Sequence, residues 1–220
     1  MCGRFTLTAS GEELAEAFGL DDAPPLAPRY NIAPSQPVAV VRAEPTGRLA
    51  LSLLVWGLLP AATAEPKRPL INARAETAWS KPSFRDAFAR RRCLVPASGF
   101  YEWAGSGKKR QPWYFRMASG RPFAFAGLWE PPFDPREPAT VTILTTEPNE
   151  LARPVHDRMP VILDPDGYRR WLDPRAGGMA ALRPLLVPFP ASAMTAYPVG
   201  TTVNDPRRDE PACVAPAGMM

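Results

Sequence analysis

Proline punctuates this chain from Pro24 to Pro216 and limits what it can build. The 29 prolines among 220 residues are about 13% of the chain, against a usual ~5%. Each fixes φ near −65° and removes a backbone N–H donor, so helix interiors and central strands tolerate it poorly. The prolines are scattered rather than clustered. A loop-rich fold of short strands is therefore expected. Apolar residues at 45% and charged residues at 22% are ordinary for a globular chain.

Local patterns place the elements. Residues 1–8 read as a short strand, with Cys2, Arg4, Thr6 and Thr8 alternating against Gly3, Phe5 and Leu7. Ser10 and Glu13 form a capping-box pattern, starting a helix that carries Leu14, Ala15 and Phe18 on one face. After a Pro-rich loop over 21–29, strands Pro37 to Arg42 and Leu49 to Trp56 are expected to pair as a hairpin across Glu44 to Gly47. Residues 61–69 read as loop. Ser83 with Asp86 marks a helix start that turns Phe84 and Phe88 inward and ends in Arg90-Arg91-Arg92. Cys93 to Pro96, Trp113 to Arg116, Phe123 to Trp129, Val141 to Thr146 and Met194 to Val199 read as strands. Pro148 to Arg153 reads as a turn or short helix. Asp164 caps a helix through Trp171-Leu172, and Met179 to Leu186 is a last helix. No repeat and no linker divides the chain. One α+β domain over residues 1–220 is expected, mainly antiparallel sheet with peripheral helices, plus a polar Pro-rich tail from about residue 205.

Several classes are excluded. No run of 18 apolar residues exists to cross a membrane as a helix, and no basic segment precedes an apolar run as in a secretory signal. Cysteines at 2, 93 and 213 are odd in number and form no CxxC pair, which argues against a disulfide framework and fits a reducing cytoplasm. With His156 the only histidine, no zinc-like ligand spacing exists, and neither metal nor cofactor is expected. The net charge of +4 permits an anionic partner without demanding one.

Candidate chemistry begins at Cys2. Once Met1 is removed, Cys2 carries an α-amine and a thiol on adjacent carbons, with reference pKa values of about 7.7–8.0 and about 8.5, so both would be partly deprotonated near neutrality. Such an aminothiol traps aldehydes as a Schiff base and then a thiazolidine ring. The thiol alone could serve as an acyl-transfer nucleophile, and the competing reading is a small buried residue opening a strand. Glu102 sits among aromatics in Gly99-Phe100-Tyr101-Glu102-Trp103, where burial would raise its pKa. Alternatively, strand alternation turns it to solvent or toward an arginine. His156 stands at a loop–strand junction and titrates nearest neutral pH, although a core histidine is the alternative. If residues 72–77 are a strand, Asn72, Arg74 and Glu76 share one face, suited to an anionic group or to solvent. Lys67-Arg68, Arg90-Arg91-Arg92 and Lys108-Lys109-Arg110 are basic clusters. Trp56, Trp79, Trp103 and Trp113 are interspersed with them. Cations neutralise phosphates and aromatics stack on unpaired bases, but solvated charge runs and core tryptophans are the common alternative.

Eight segments then fall in one order: MCGRF at 1–5, YNIAP at 30–34, WGLLP at 56–60, NARAET at 72–77, CLVPASGFYEW at 93–103, FAGLWE at 125–130, ILTTEPN at 143–149 and HDRMPVIL at 156–163. Together they resemble the SRAP (SOS-response-associated peptidase) family. The resemblance implies an open barrel-like antiparallel core and a sensor of abasic sites in single-stranded DNA, crosslinked through Cys2. It implies catalytic roles for Cys2, Asn72, Glu102 and His156, and DNA contacts from Arg4, Asn31, Pro34, Trp56 and Arg74. Trp56, with Asn31 and Pro34, would line the DNA cleft and wedge or stack at the lesion. Val203-Asn204 matches the family, whereas Asp205 to Met220 diverges. A monomer is implied, cytoplasmic and nucleoid-associated when bound to DNA. The family name also records a peptidase or hydrolase activity, and a lyase activity is a further reading. The rivals are an N-terminal-nucleophile amidotransferase or peptidase, and a non-catalytic single-strand binding module.

Overall fold

The computed structural model describes residues 2–60, 69–107, 110–176 and 178–218. Strand β1 (Phe5–Leu7) leads into helix α1 (Gly11–Phe18), followed by β2 (Arg29–Ile32), β3 (Pro37–Ala43) and β4 (Leu49–Trp56). Next, β5 (Asn72–Arg74) runs straight into α2 (Ala75–Ala78), and α3 (Arg85–Arg90) precedes β6 (Arg92–Ala97). The strands β7 (Gly99–Ala104), β8 (Gln111–Met117), β9 (Phe123–Glu130) and β10 (Thr140–Thr146) form the middle of the chain. The short β11 (Met159–Pro160) and β12 (Ile162–Leu163), then α4 (Tyr168–Leu172), α5 (Gly178–Leu182) and β13 (Met194–Pro198), complete it.

Two sheets result. The first runs β13-β8-β7-β1-β2. The second runs β11-β10-β4-β3-β6-β9-β12, and β9 also pairs with β10, so its central path closes on itself as a barrel-like ring. Most pairings are antiparallel; β10 is parallel to both β4 and β5. The hairpin follows local chemistry. Its register runs from Pro37↔Val55 to Ala43↔Leu49, and its turn closes where Gly47 takes a φ of 84° that costs glycine little. The α1 capping box forms too: Ser10 N–H donates to Glu13 at 2.7 Å, and Glu13 N–H donates to Ser10 Oγ at 3.2 Å.

The sheets meet through aromatic rings. Phe5 of β1 packs edge-on against Trp56 at 5.2 Å and against Phe125 at 5.7 Å, which ties the first sheet to the interior of the second. All three residues of β1 are buried, so the strand does not alternate between core and solvent as its pattern suggested.

Other expectations change. Ser83 provides no cap for α3, although Phe84 and Phe88 are buried. The arginine run divides among three environments. Arg90 is exposed, and Arg91 pairs with Glu130 at 2.6 Å. Arg92 is buried and donates to the carbonyls of Trp171, Phe88, Ala89 and Asp173. It is a structural staple, since a buried guanidinium persists only where its donors are satisfied. Residues 72–77 are strand and then helix, so Glu76 leaves the face shared by Asn72 and Arg74. Met1, Lys67, Arg68, Lys108, Lys109 and most of the 61–69 loop lie outside the described residues.

The described tail, residues 206–218, packs onto the fold. Asp209 accepts from the backbone N–H groups of Tyr30 at 2.5 Å and Asn31 at 2.9 Å, and from the Arg29 guanidinium. Cys213 is buried in a short 3-10 turn, Pro211–Val214.

Candidate active site

Pairing of β1 with β7 positions the N-terminal segment. Phe5 faces Phe100 and Thr6 faces Gly99, and Tyr101 N–H donates to the Arg4 carbonyl at 3.0 Å. Continuing that register sets Gly3 opposite Glu102 and Cys2 beside it. The approach requires a glycine at 99: a Cβ there would lie 2.3 Å from the Tyr114 ring, whose hydroxyl is hydrogen-bonded to Thr6 Oγ1 at 2.8 Å.

Cys2 is fully buried. Burial, and after it the Glu102 charge, push its thiol well above the ordinary range. With Met1 attached, Cys2 is thus a neutral thiol; the aminothiol expected after loss of Met1 is a different species. From the second sheet, Asn72 Nδ2 donates to the Cys2 carbonyl at 2.8 Å. Asn72 owes its place to β5 lying parallel to β10, with Asn72 opposite Ile143. Its Oδ1 is buried without a hydrogen-bond partner among the described residues.

Glu102 is only 2% exposed, which removes the solvent-facing alternative. Burial pushes its pKa up to about 7, because desolvation penalises the carboxylate. His156 Nε2 lies 4.0 Å from Glu102 Oε2. On the other side of the ring, Nδ1 is 3.0 Å from the Arg158 N–H and 2.9 Å from an Asp157 oxygen. The nitrogen cannot accept from the first and donate to the second at once. Burial lowers the His156 pKa, and the Asp157 side chain is 88% exposed. The backbone bond therefore sets the tautomer, which puts the proton on Nε2, toward Glu102.

The loop carrying His156 is braced. Ala152 N–H donates to Asn149 Oδ1 at 2.9 Å and His156 N–H to the Ala152 carbonyl at 3.0 Å. Arg158 makes a two-pronged pair with Glu76 at 2.7 and 2.9 Å and donates to the Thr145 carbonyl at 2.6 Å. Burial opposes ionisation of Glu76, but the Arg158 hydrogen bonds and the nearby positive charges outweigh it and lower its pKa. Glu76 thus anchors the His156 loop.

At Gly3, the residue after Cys2, opens a cleft of about 450 Å³ lined also by Arg4, Trp103, Gly107, Arg110 and Asn204. Arg4 donates to Asn31 Oδ1 at 2.8 Å and to the Val203 carbonyl at 2.6 Å, with its guanidinium 6.0 Å from the Trp103 ring centre. Trp103 Nε1 donates to Asn204 Oδ1 at 2.7 Å. Two cations and an indole around an open cleft suit an anionic, aromatic ligand.

Among the expected DNA contacts, Arg4 reaches this cleft, Arg74 is exposed on β5 and Pro34 is half-buried. Two of the expected contacts are buried in this structure. Trp56 is fully buried, donates to the Ile71 carbonyl at 2.8 Å and offers no face to a base. Asn31 is also buried; its Nδ2 donates to the Val203, Asp205 and Arg208 carbonyls. Both act from behind, Trp56 on the residue preceding Asn72 and Asn31 on Arg4. Trp103 and Arg110 entered above only within the interspersed aromatic and basic pattern and Asn204 only through the Val203-Asn204 match; none was among the contacts that the resemblance implied. Val203-Asn204 and the GFYEW segment held the signal for two of them. Among the described residues, no group of three or more His, Cys, Asp or Glu is arranged to hold a metal.

The family model described as SOS response associated peptidase (SRAP) matches residues 1–206. The abasic site processing protein YoqW of Bacillus subtilis (strain 168) is 40% identical over 224 residues, covering 97% of this chain and 99% of that protein. The abasic site processing protein YedK of Escherichia coli (strain K12) is 31% identical over 225 residues, covering 98% and 100% respectively. A crystal structure of a protein from Bacteroides thetaiotaomicron aligns with a TM-score of 0.86 at 26% identity, over 98% of this chain and 100% of that one. With the family match spanning nearly the whole chain, this protein belongs to the SRAP family.

Proposed function

We propose that this protein captures abasic sites in single-stranded DNA as a covalent adduct on Cys2, shielding the lesion. The observation that carries the reading is the buried Glu102, with a pKa of about 7, beside a buried Cys2 whose carbonyl Asn72 holds. A carboxyl that populates both protonation states at neutral pH can give a proton in one step and take one in the next.

The chemistry balances as a condensation. The Cys2 α-amine, freed by loss of Met1, attacks the C1′ aldehyde of the ring-opened deoxyribose. Neutral Glu102 gives its proton to the departing hydroxyl, which leaves as water, and a protonated imine forms. Glu102, now a carboxylate, takes the thiol proton as Sγ attacks the carbon of that protonated imine. The attack closes the thiazolidine ring with its N–H in place and returns Glu102 to the neutral acid. One C–N and one C–S bond form, and the carbonyl oxygen departs as water. His156 Nε2–H assists opening of the sugar, Asn72 orients the Cys2 backbone, and Arg4 and Arg74 hold phosphates. The protein acts as a monomer in the cytoplasm, on the nucleoid when bound.

A peptidase or amidotransferase reading is weaker. Such nucleophiles need a lowered thiol pKa beside a basic group, whereas with Met1 attached the Cys2 thiol is pushed up. In the test, protein is mixed with single-stranded oligonucleotides with and without an abasic site and run on a denaturing gel. A heat-stable adduct is expected only with the abasic strand, and not with Cys2→Ala. Adduct formation by Cys2→Ala, or by protein whose intact mass still includes Met1, would overturn the thiazolidine route. Hydrolysis of glutamine or peptide without adduct would favour the rival.

A further inference from the structure

Trp79 takes no part in the site as described above. Its side chain is 48% exposed, and it joins neither core cluster. Helix α2 instead buries Ala75 and Ala78. The indole is nonetheless held: Nε1 donates to the Glu76 carbonyl at 3.0 Å. A ring already fixed loses little further freedom when a ligand stacks on it.

Its surroundings connect it to the active site by two routes. Helix α2 begins where β5 ends. Asn72 of β5 grips the Cys2 carbonyl, and exposed Arg74 lies two residues on, on the same side of the strand. Glu76 lies three residues before Trp79, which caps α2 at its C-terminal end. Its carboxylate is clamped by Arg158, two residues from His156. The indole therefore sits just past α2, the short helix that joins the Asn72–Arg74 strand to the Glu76–Arg158 pair.

We infer that Trp79 is a stacking platform for an unpaired base next to the abasic nucleotide, with Arg74 holding the phosphate between them. The inference rests on the abasic-strand reading and adds to it a contact with an intact neighbouring nucleotide. An exposed indole offers a π-face to any base, and the exposed Arg74 guanidinium at the end of β5 meets the negative charge that every nucleotide carries. The site would favour strands that keep a base beside the lesion, without reading which base it is.

The test measures non-covalent affinity by fluorescence anisotropy. The probe is a single strand carrying a tetrahydrofuran abasic analogue, which has no aldehyde and cannot crosslink. One strand keeps the bases on both sides of the analogue; a second replaces those neighbours with base-free spacers as well. The protein is expected to prefer the first by about tenfold, within the range of single base–aromatic stacks. Trp79→Ala should abolish that preference, while Trp79→Phe keeps part of it. Equal preference in the protein and in Trp79→Ala would overturn the inference, as would no preference in either. A Trp79-dependent preference without any adduct on a natural abasic strand would overturn the crosslinking reading alone.

Discussion

Replacing Glu102 with glutamine should make the protein more stable at neutral and alkaline pH while impairing its chemistry. The carboxyl is 2% exposed and its pKa rises from 4.5 to about 7, chiefly through burial. Between those values the folded state binds more protons at this position than the unfolded state does. Stability therefore falls as pH rises, by up to about 1.4 kcal/mol per pH unit. The contribution is fully present below pH 4.5 and lost once pH passes about 7. Across that window the loss amounts to about 3 kcal/mol. Glutamine has nearly the same shape and does not titrate. Urea unfolding at half-unit steps from pH 5 to 8.5 should show Glu102→Gln gaining on the parent protein as pH rises and levelling off above pH 7. Adduct formation should fall by about 10²-fold or more, the usual contribution of a general acid–base group. Parallel stability curves for the two proteins would refute the reasoning, because they would mean that Glu102 is not a carboxyl held out of water.

The Glu76–Arg158 pair and the Asp209 anchor give two further tests. A double-mutant cycle with Glu76→Gln and Arg158→Ala should return a coupling of about 0.5–1 kcal/mol at pH 7, the range for a partly exposed pair. Because the Glu76 pKa is lowered, that coupling is present above its ordinary carboxylate pKa and disappears as pH falls through the lowered value. Urea titrations at pH 7 and in acid would measure both. Asp209→Ala removes the acceptor for two backbone N–H groups and the Arg29 guanidinium, and should cost about 2–3 kcal/mol in urea unfolding. A change below 0.5 kcal/mol would mean that the tail lies on the fold without supporting it.

What was legible in the sequence was local. The β3–β4 hairpin and the α1 capping box lie within a few residues of their own signals, and the expected strands fall close to their observed bounds. The Asn72–Glu76 stretch misled because strand alternation and the start of a helix look alike over five residues. Only the β10 partner shows where the strand ends. Arg90-Arg91-Arg92 read as one charge cluster, yet two of the three are claimed by Glu130 and by backbone carbonyls from distant segments. Burial of Cys2 was one of two readings that its own residue type offered, and only the meeting of two sheets decides it. The family motifs located Trp56 and Asn31 but not the direction of their side chains, and orientation separates a stacking surface from a buried support.

The span between Arg4 and its carbonyl partner at Val203 bears on how the protein is made. Residue 4 leaves the ribosome nearly two hundred residues before residue 203. At ordinary rates of synthesis that interval is about 10–40 s. Throughout it the Asn31 amide lacks its three backbone acceptors and the Arg4 guanidinium lacks Val203. The N-terminal segment is therefore the first part of the site to be synthesised and among the last to be locked in place. Until the tail folds back, a nascent chain carries its cysteine without the socket that orients it.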